Sequence, residues 1–195
     1  MTFLRANRLE PDRAMVLVID WQEKLLPLIR HHEAILRAAR FLLDGVRIFD
    51  LPVLATEQYP KGLGVTHPLV RDALSRCGAK TPEKTVFSAC GDESIRAALR
   101  ELDRSQIIIT GIETHVCVQQ TALDLRAMDY DVFVCADATG SRVPEDHAIA
   151  LERLRQEGVY VTTTESVLFE LCHRCDTDRF KKMLDLIKVR PLRDH

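Results

Sequence analysis

Three side chains of this sequence, a cysteine, an aspartate and a lysine, stand at the ends of strand-like runs, and together they could carry out acyl transfer. Cys117 follows Gln106-Ile107-Ile108-Ile109-Thr110-Gly111 and falls in the first turn of a helical pattern. The unpaired N–H groups and the dipole at a helix N-terminus favour an anion, so the setting is expected to lower the thiol pKa and present a thiolate nucleophile. A small apolar side chain packed on a sheet is the alternative fate of a free cysteine. Asp20 closes Val16-Leu17-Val18-Ile19-Asp20, where a partly desolvated carboxylate suits a base. With Glu23 it reads equally as a capping box for a following helix. Lys84 lies in Pro82-Glu83-Lys84-Thr85-Val86-Phe87-Ser88, where a strand begins. A cation there either keeps thiol and carboxylate ionised or is a solvated, snorkelling side chain.

Residues so spaced meet only if the fold folds them back onto one edge. Short β-branched runs at 15–20, 52–56, 85–88, 106–111, 132–136 and 159–162 read as buried parallel strands. Helical patterns lie between most of them. The stretch 33–49 repeats apolar residues at Ile35, Ala38, Ala39, Leu42, Leu43 and Val46 with the 3.6-residue period, and 93–102, 116–128 and 144–157 behave alike. Pro144 suits a first helical turn and Gly158 a stop. The stretch 165–189 reads as one or two further helices. Strand–helix repetition of this kind implies an α/β fold, a parallel sheet with helices on both faces. Ligands in such sheets bind beyond the carboxyl ends of the strands, which directs attention to Asp20 and to 56–64, 88–91, 111–117 and 137–142.

Bulk composition narrows the class. The 195 residues are long enough for one well-cored domain, and 46% hydrophobic with 29% charged residues is a globular balance. The net charge of -2, from 27 basic and 29 acidic residues interspersed along the chain, has none of the basic stripe of a nucleic-acid binder. The apolar runs are strand-sized, so neither a membrane span nor a secretory leader is expected. Six scattered cysteines, Cys77, Cys90, Cys117, Cys135, Cys172 and Cys175, suggest reduced thiols in a cytoplasmic setting rather than a disulfide scaffold.

The conjunction of Asp20, Lys84 and Cys117 resembles the isochorismatase-like cysteine hydrolases. The phrases that carry the likeness run in family order from about Met15 to Leu171. They are Val18-Ile19-Asp20-Trp21-Gln22-Glu23-Lys24, Thr56-Glu57-Gln58-Tyr59-Pro60-Lys61-Gly62-Leu63-Gly64, Glu83-Lys84-Thr85-Val86-Phe87-Ser88, Thr114-His115-Val116-Cys117-Val118, Pro144-Glu145-Asp146-His147 and Thr164-Glu165-Ser166-Val167-Leu168-Phe169-Glu170-Leu171. The resemblance implies a Rossmann-like three-layer sandwich with a six-stranded parallel sheet, in one domain over 1–195 (core about 12–172, C-terminal helices 165–190). It implies an Asp–Lys–Cys triad at Asp20, Lys84 and Cys117, and a cis peptide at Ile112–Glu113. That peptide would aim the backbone N–H of Glu113, with that of Cys117, as an oxyanion hole. The activity implied is hydrolysis of a small amide, carbamoyl or related carbonyl compound at a non-peptide C–N bond through a thioester, without cofactor, in a homo-oligomer. Two departures refine it. The Asp-x-His metal motif of nicotinamidase-like relatives is replaced by Glu57-Gln58-Tyr59-Pro60-Lys61, with His67 some way on, so no metal is expected. The namesake isochorismatases lack the cysteine that this chain has.

Other signals carry less. Cys172-His173-Arg174-Cys175 has redox or zinc spacing but no second ligand pair, and reads as two half-buried helical thiols. Gly62-Leu63-Gly64 is no dinucleotide fingerprint, and no phosphate loop exists. Trp21, Tyr59, Phe87 and His115 either line a small substrate pocket or pack ordinarily. Cys117 is expected to be the most reactive of the thiols. A catalytically idle binding or scaffolding member of the same fold is the alternative function, separated by turnover. A flavodoxin-like cofactor binder is a third, separated by the colour of the purified protein.

Overall fold

The computed structural model describes residues 8–190. Its centre is a strand that shows no polar alternation because both faces are covered. All six residues of β1 (Ala14–Ile19) are buried. Ala14, Val16 and Val18 enter one apolar cluster, Met15, Leu17 and Ile19 the other. Five more strands join in parallel: β2 (Val53–Gln58), β3 (Glu83–Lys84), β4 (Gln106–Ile112), β5 (Asp131–Gly140) and β6 (Tyr160–Thr162), in the order β3-β2-β1-β4-β5-β6. The expected six-stranded parallel sheet flanked by helices is therefore the fold. The strand order reverses between β1 and β4, and a cleft opens at the carboxyl ends of such a pair.

Eight α-helices cover the sheet among the described residues. On one face lie α1 (His32–Val46), α3 (Pro68–Arg76), α7 (Thr164–Cys172) and α8 (Asp178–Lys188), which contribute Leu42, Leu43, Leu74, Leu168 and Met183 to the first cluster. On the other lie α4 (Glu93–Glu101), α5 (Gln119–Ala127) and α6 (Pro144–Gln156), with Ile95, Leu125 and Leu154 in the second. The four-residue α2 (Pro60–Leu63) follows β2.

The helical periods expected for 33–49, 93–102 and 144–157 correspond to α1 with its 3-10 extension, α4 and α6. Three local expectations differ. The segment 85–88 is not a strand. β3 ends at Lys84 and pairs only with Glu57 and Gln58. The carbonyls of Val86 and Phe87 accept hydrogen bonds from Lys84 Nζ, so this backbone serves the lysine instead of the sheet. The helix expected from 116 begins at Gln119, after a π-helical turn over Thr114–Val118. The helix α3 had no counterpart in the expectations. Its nine residues open on Pro68 behind a His67 cap, too short a run to show a clear period.

Gly111 lies where the end of β4 passes closest to β1. Its φ is 152°, and a Cβ there would stand 2.3 Å from the carbonyl oxygen of Ile19. Only glycine lets the end of β4 run so close to β1.

Candidate active site

At the carboxyl end of β1 the chain turns through Asp20, whose φ of 54° is left-handed, a conformation an aspartate tolerates better than most residues. No helix begins there, so the capping-box reading does not hold. The carboxylate instead points into the sheet edge. Its Oδ1 accepts the hydroxyl of Thr56 at 2.8 Å, and its Oδ2 accepts Lys84 Nζ at 2.7 Å. Neither the Asp20 nor the Lys84 side chain is exposed at all, so the solvated reading of Lys84 fails as well. The ammonium also donates to Gln58 Oε1 at 2.7 Å, and the Phe87 and Val86 carbonyls lie at 3.2 and 3.3 Å.

Alternation along β2 places these partners. Thr56 and Gln58 lie two residues apart and so face the same side of the sheet. Gln58 is itself held. Its Nε2 donates to the Thr85 carbonyl at 3.1 Å, which turns its Oε1 to the lysine. The Gln22 amide brackets its backbone, accepting from Gln58 N at 2.8 Å and donating to Gln58 O at 2.9 Å.

Cys117 sits in the π-helical turn beyond β4, is 6% exposed, and packs in the second apolar cluster. The Asp20 carboxylate and the Lys84 ammonium both act on its thiol, the first disfavouring and the second favouring the thiolate. The structure thus brings Asp20, Lys84 and Cys117 together. The peptide bond Ile112–Glu113 is cis.

The electrostatics differ from the helix-dipole expectation. Burial, and then the neighbouring Asp20 charge, push the Cys117 thiol up to about 12. Burial also raises Asp20 above the ordinary aspartate value, although Lys84 and Thr56 pull against it. The thiol at rest is therefore neutral, because desolvation outweighs the favourable ends of the turn.

The aromatic candidates divide. Tyr59 and Phe87 are more than half exposed, and both flank Lys84, the Tyr59 N–H donating to its carbonyl at 2.8 Å. His115 lies on the Cys117 turn, 2.9 Å from the Ser141 hydroxyl. Trp21 lines no opening. It is fully buried in the first apolar cluster, because the chain turns it inward immediately after Asp20. Cys172, the last residue of α7, is a half-buried helical thiol as expected, whereas Cys175 departs from expectation, exposed beyond the helix. Sequence reasoning missed Thr56, Gln58 and Gln22. The period-two placement of Thr56 and Gln58 at a strand's carboxyl end was the available signal.

In the loop after β2, Glu57 Oε1 accepts the Thr66 N–H at 2.5 Å and hydroxyl at 2.6 Å, while His67 caps α3. Among the described residues no group of three His, Cys, Asp or Glu is placed to hold a metal ion. No helix among them is long and apolar enough to cross a membrane.

A family model described as the isochorismatase domain matches residues 14–166. The chain belongs to the isochorismatase family. An isochorismatase domain-containing protein 1 from Danio rerio is 40% identical over 97% of this chain, which spans 66% of that relative's length. Isochorismatase family protein 1B of Dictyostelium discoideum is 35% identical, with 94% of this chain and 90% of the relative aligned. Among solved isochorismatase-like structures, the MAR1 ribonuclease from Caenorhabditis elegans superposes with a TM-score of 0.88 at 35% identity, over 95% of both chains. The YcaC gene product from Escherichia coli, described as an octameric hydrolase of unknown specificity, gives 0.90 at 27% over 95% of this chain and 91% of that one. YcaC from Pseudomonas aeruginosa, solved with hexane-2,5-diol and covalent acrylamide, gives 0.86 at 28%, over 95% and 93%. The protein is an isochorismatase-family hydrolase.

Proposed function

We propose that this hydrolase cleaves a small amide, carbamoyl or related carbonyl substrate with Cys117 as nucleophile. One observation carries the reading: a fully buried Asp20–Lys84 ion pair whose two charges both act on the buried Cys117 thiol. A buried ion pair is poor value as a stabilising device, and one set against a thiol at a sheet switch point has a chemical use.

The order of proton movements follows from the charges. With the thiol at about 12, a free thiolate at pH 7 would cost roughly 7 kcal/mol, at about 1.4 kcal/mol per pH unit. Proton transfer to Asp20 therefore accompanies attack, as the sulfur–carbon bond forms. The carbonyl oxygen becomes an oxyanion, received by the backbone N–H groups of Glu113 and Cys117. Lys84 Nζ, held by Asp20, Gln58 and the Val86 and Phe87 carbonyls, acts as a fixed cation. As the C–N bond breaks, the leaving nitrogen takes the proton from Asp20. Water then gives a proton to Asp20 and attacks the thioester, releasing the acid and restoring the thiol. No step calls on a metal ion, and a homo-oligomer is the expected assembly, as described for the Escherichia coli relative.

The covalent acrylamide in the Pseudomonas aeruginosa relative supports a reactive nucleophile in this fold. The test is intact mass spectrometry after brief exposure to p-nitrophenyl acetate, small primary amides and N-carbamoyl amino acids, with turnover measured in parallel. An acyl adduct mapped to Cys117, and turnover lost in Cys117→Ala, are expected. No adduct on Cys117, or an active Cys117→Ala, would overturn the assignment. An oligoribonucleotide serves as the control arm, since the worm relative is described as a ribonuclease. The interspersed charges here favour no cleavage of it.

A further inference from the structure

Three consecutive residues leading into the Cys117 turn are each tied to the loop and helix that follow β5. The Glu113 carboxylate accepts the backbone N–H of Arg142 at 3.0 Å through Oε1, and the Arg142 Nε–H at 3.0 and 3.2 Å through Oε1 and Oε2. Thr114 Oγ1 meets His147 Nδ1 at 2.9 Å, and burial keeps that imidazole below its ordinary pKa. His115 Nδ1 meets Ser141 Oγ at 2.9 Å, with Asp146 Oδ2 lying 3.7 Å from Nε2. Lacing of successive side chains onto one neighbouring segment holds a backbone stretch in orientation as well as in place.

Among these ties the Glu113–Arg142 pair stands apart. The Glu113 side chain is 7% exposed and Arg142 is 55% exposed. A carboxylate that deep needs a partner, or its charge opposes any negative charge developing nearby. Arg142 reaches in from the surface to supply one, its Nε–H shared between the two oxygens while its backbone N–H binds Oε1. We propose that Arg142 is a positioning residue for the acyl transfer. By gripping the Glu113 carboxylate it keeps the Glu113 backbone N–H aimed at the oxyanion and cancels the carboxylate charge beside it. The proposal rests on the reading of Cys117 as nucleophile with Glu113 N–H as an oxyanion donor.

The test uses p-nitrophenyl acetate as probe on the full chain, with Arg142→Met, Arg142→Lys, Glu113→Ala and Glu113→Gln. Losing an oxyanion donor outright lowers kcat by about 10²–10³-fold, so a misaimed one should cost about ten- to a hundredfold. That loss is expected in Arg142→Met and Glu113→Ala, with KM within about twofold. Arg142→Lys, which keeps the charge but not the planar Nε–H, should recover part of it. Glu113→Gln should retain more turnover than Glu113→Ala. Alkylation of Cys117 by iodoacetamide displaces iodide from a saturated carbon and develops no oxyanion. Its rate, read by peptide mass, should therefore stay within about threefold of wild type in every variant. Unchanged kcat in Arg142→Met and Glu113→Ala would overturn the proposal. So would alkylation and kcat falling together with Tm, since the clamp would then be merely structural. A raised KM with kcat kept would place Arg142 on the substrate instead. Absence of Cys117-dependent turnover in the wild-type protein would instead remove the site reading itself, and the proposal with it.

Discussion

Replacing Lys84 with Met tests the buried pair most directly. The 2.7 Å separation between Lys84 Nζ and Asp20 Oδ2 corresponds to a gross attraction of about 6 kcal/mol at an effective dielectric near 20. Desolvation of both charges consumes most of it, so the net worth of the intact pair is small. Removing one partner is different. Asp20 would be left with the Thr56 hydroxyl as donor, in a site with no exposed surface. An uncompensated buried charge of that kind costs about 3–5 kcal/mol, a third or more of the stability of many domains. Lys84→Met/Asp20→Asn, which removes both charges and keeps the shape, should recover most of the loss, and the cycle should show coupling above about 2 kcal/mol.

The pH dependence has a definite sign. Burial already raises Asp20 in the wild-type protein, and the lowering by Lys84 disappears in the variant. The native state then holds the Asp20 proton more tightly than the unfolded chain. Stability consequently falls as pH rises above the ordinary aspartate value through the raised native value, and returns on acidification. Urea unfolding of Lys84→Met between about pH 4 and pH 8, followed by the fluorescence of the single tryptophan, Trp21, reads both quantities. A Lys84→Met protein within about 1 kcal/mol of wild type, or single losses that simply add in the double variant, would refute the reasoning.

Three further outcomes are expected. Thr56→Val removes a donor to ionised Asp20, so the acid limb of the kcat/KM profile should move to higher pH, and a limb that stays or moves down would contradict the role of that 2.8 Å bond. A limiting dose of iodoacetamide at neutral pH should modify exposed Cys175 before Cys117, whose burial and pKa of about 12 keep it a thiol, as peptide mapping would show. Labelling of Cys117 first would restore the ordering expected from the helix dipole alone. Exhaustive dialysis against a chelator should leave Cys117-dependent turnover unchanged, and activity lost and regained with zinc or iron would show that the loop after β2 had been misread.

Much of the architecture was legible in the sequence because buried parallel strands and amphipathic helices advertise themselves locally. The continuous apolar run at 14–19 and the 3.6-residue period in α1 are imposed by what each residue must bury, whatever lies across the sheet. The positions of Asp20 and Cys117 after strands were legible for the same reason, but Lys84, expected where a strand begins, ends one instead. What each does there was not legible. The same Asp20 and Glu23 spell a helix cap, and only the left-handed turn at Asp20 and the arrival of Lys84 from 64 residues away excluded it.

The protonation state of Cys117 was likewise decided in three dimensions. A helix start is a local property, but desolvation depends on every segment packed around the sulfur, and here it outweighs the dipole. The third strand shortened to Glu83–Lys84 because the following carbonyls turn to a lysine ammonium, a demand no strand propensity encodes. Gln58, Thr56 and Arg142 look like ordinary polar residues until the sheet aligns them with partners 26 to 36 positions distant. Sequence periodicity determined which segments form strands and helices and which residues they bury. Tertiary structure alone decided which charges meet out of water, because a side chain's electrostatic environment is the sum of neighbours that the chain's order does not reveal.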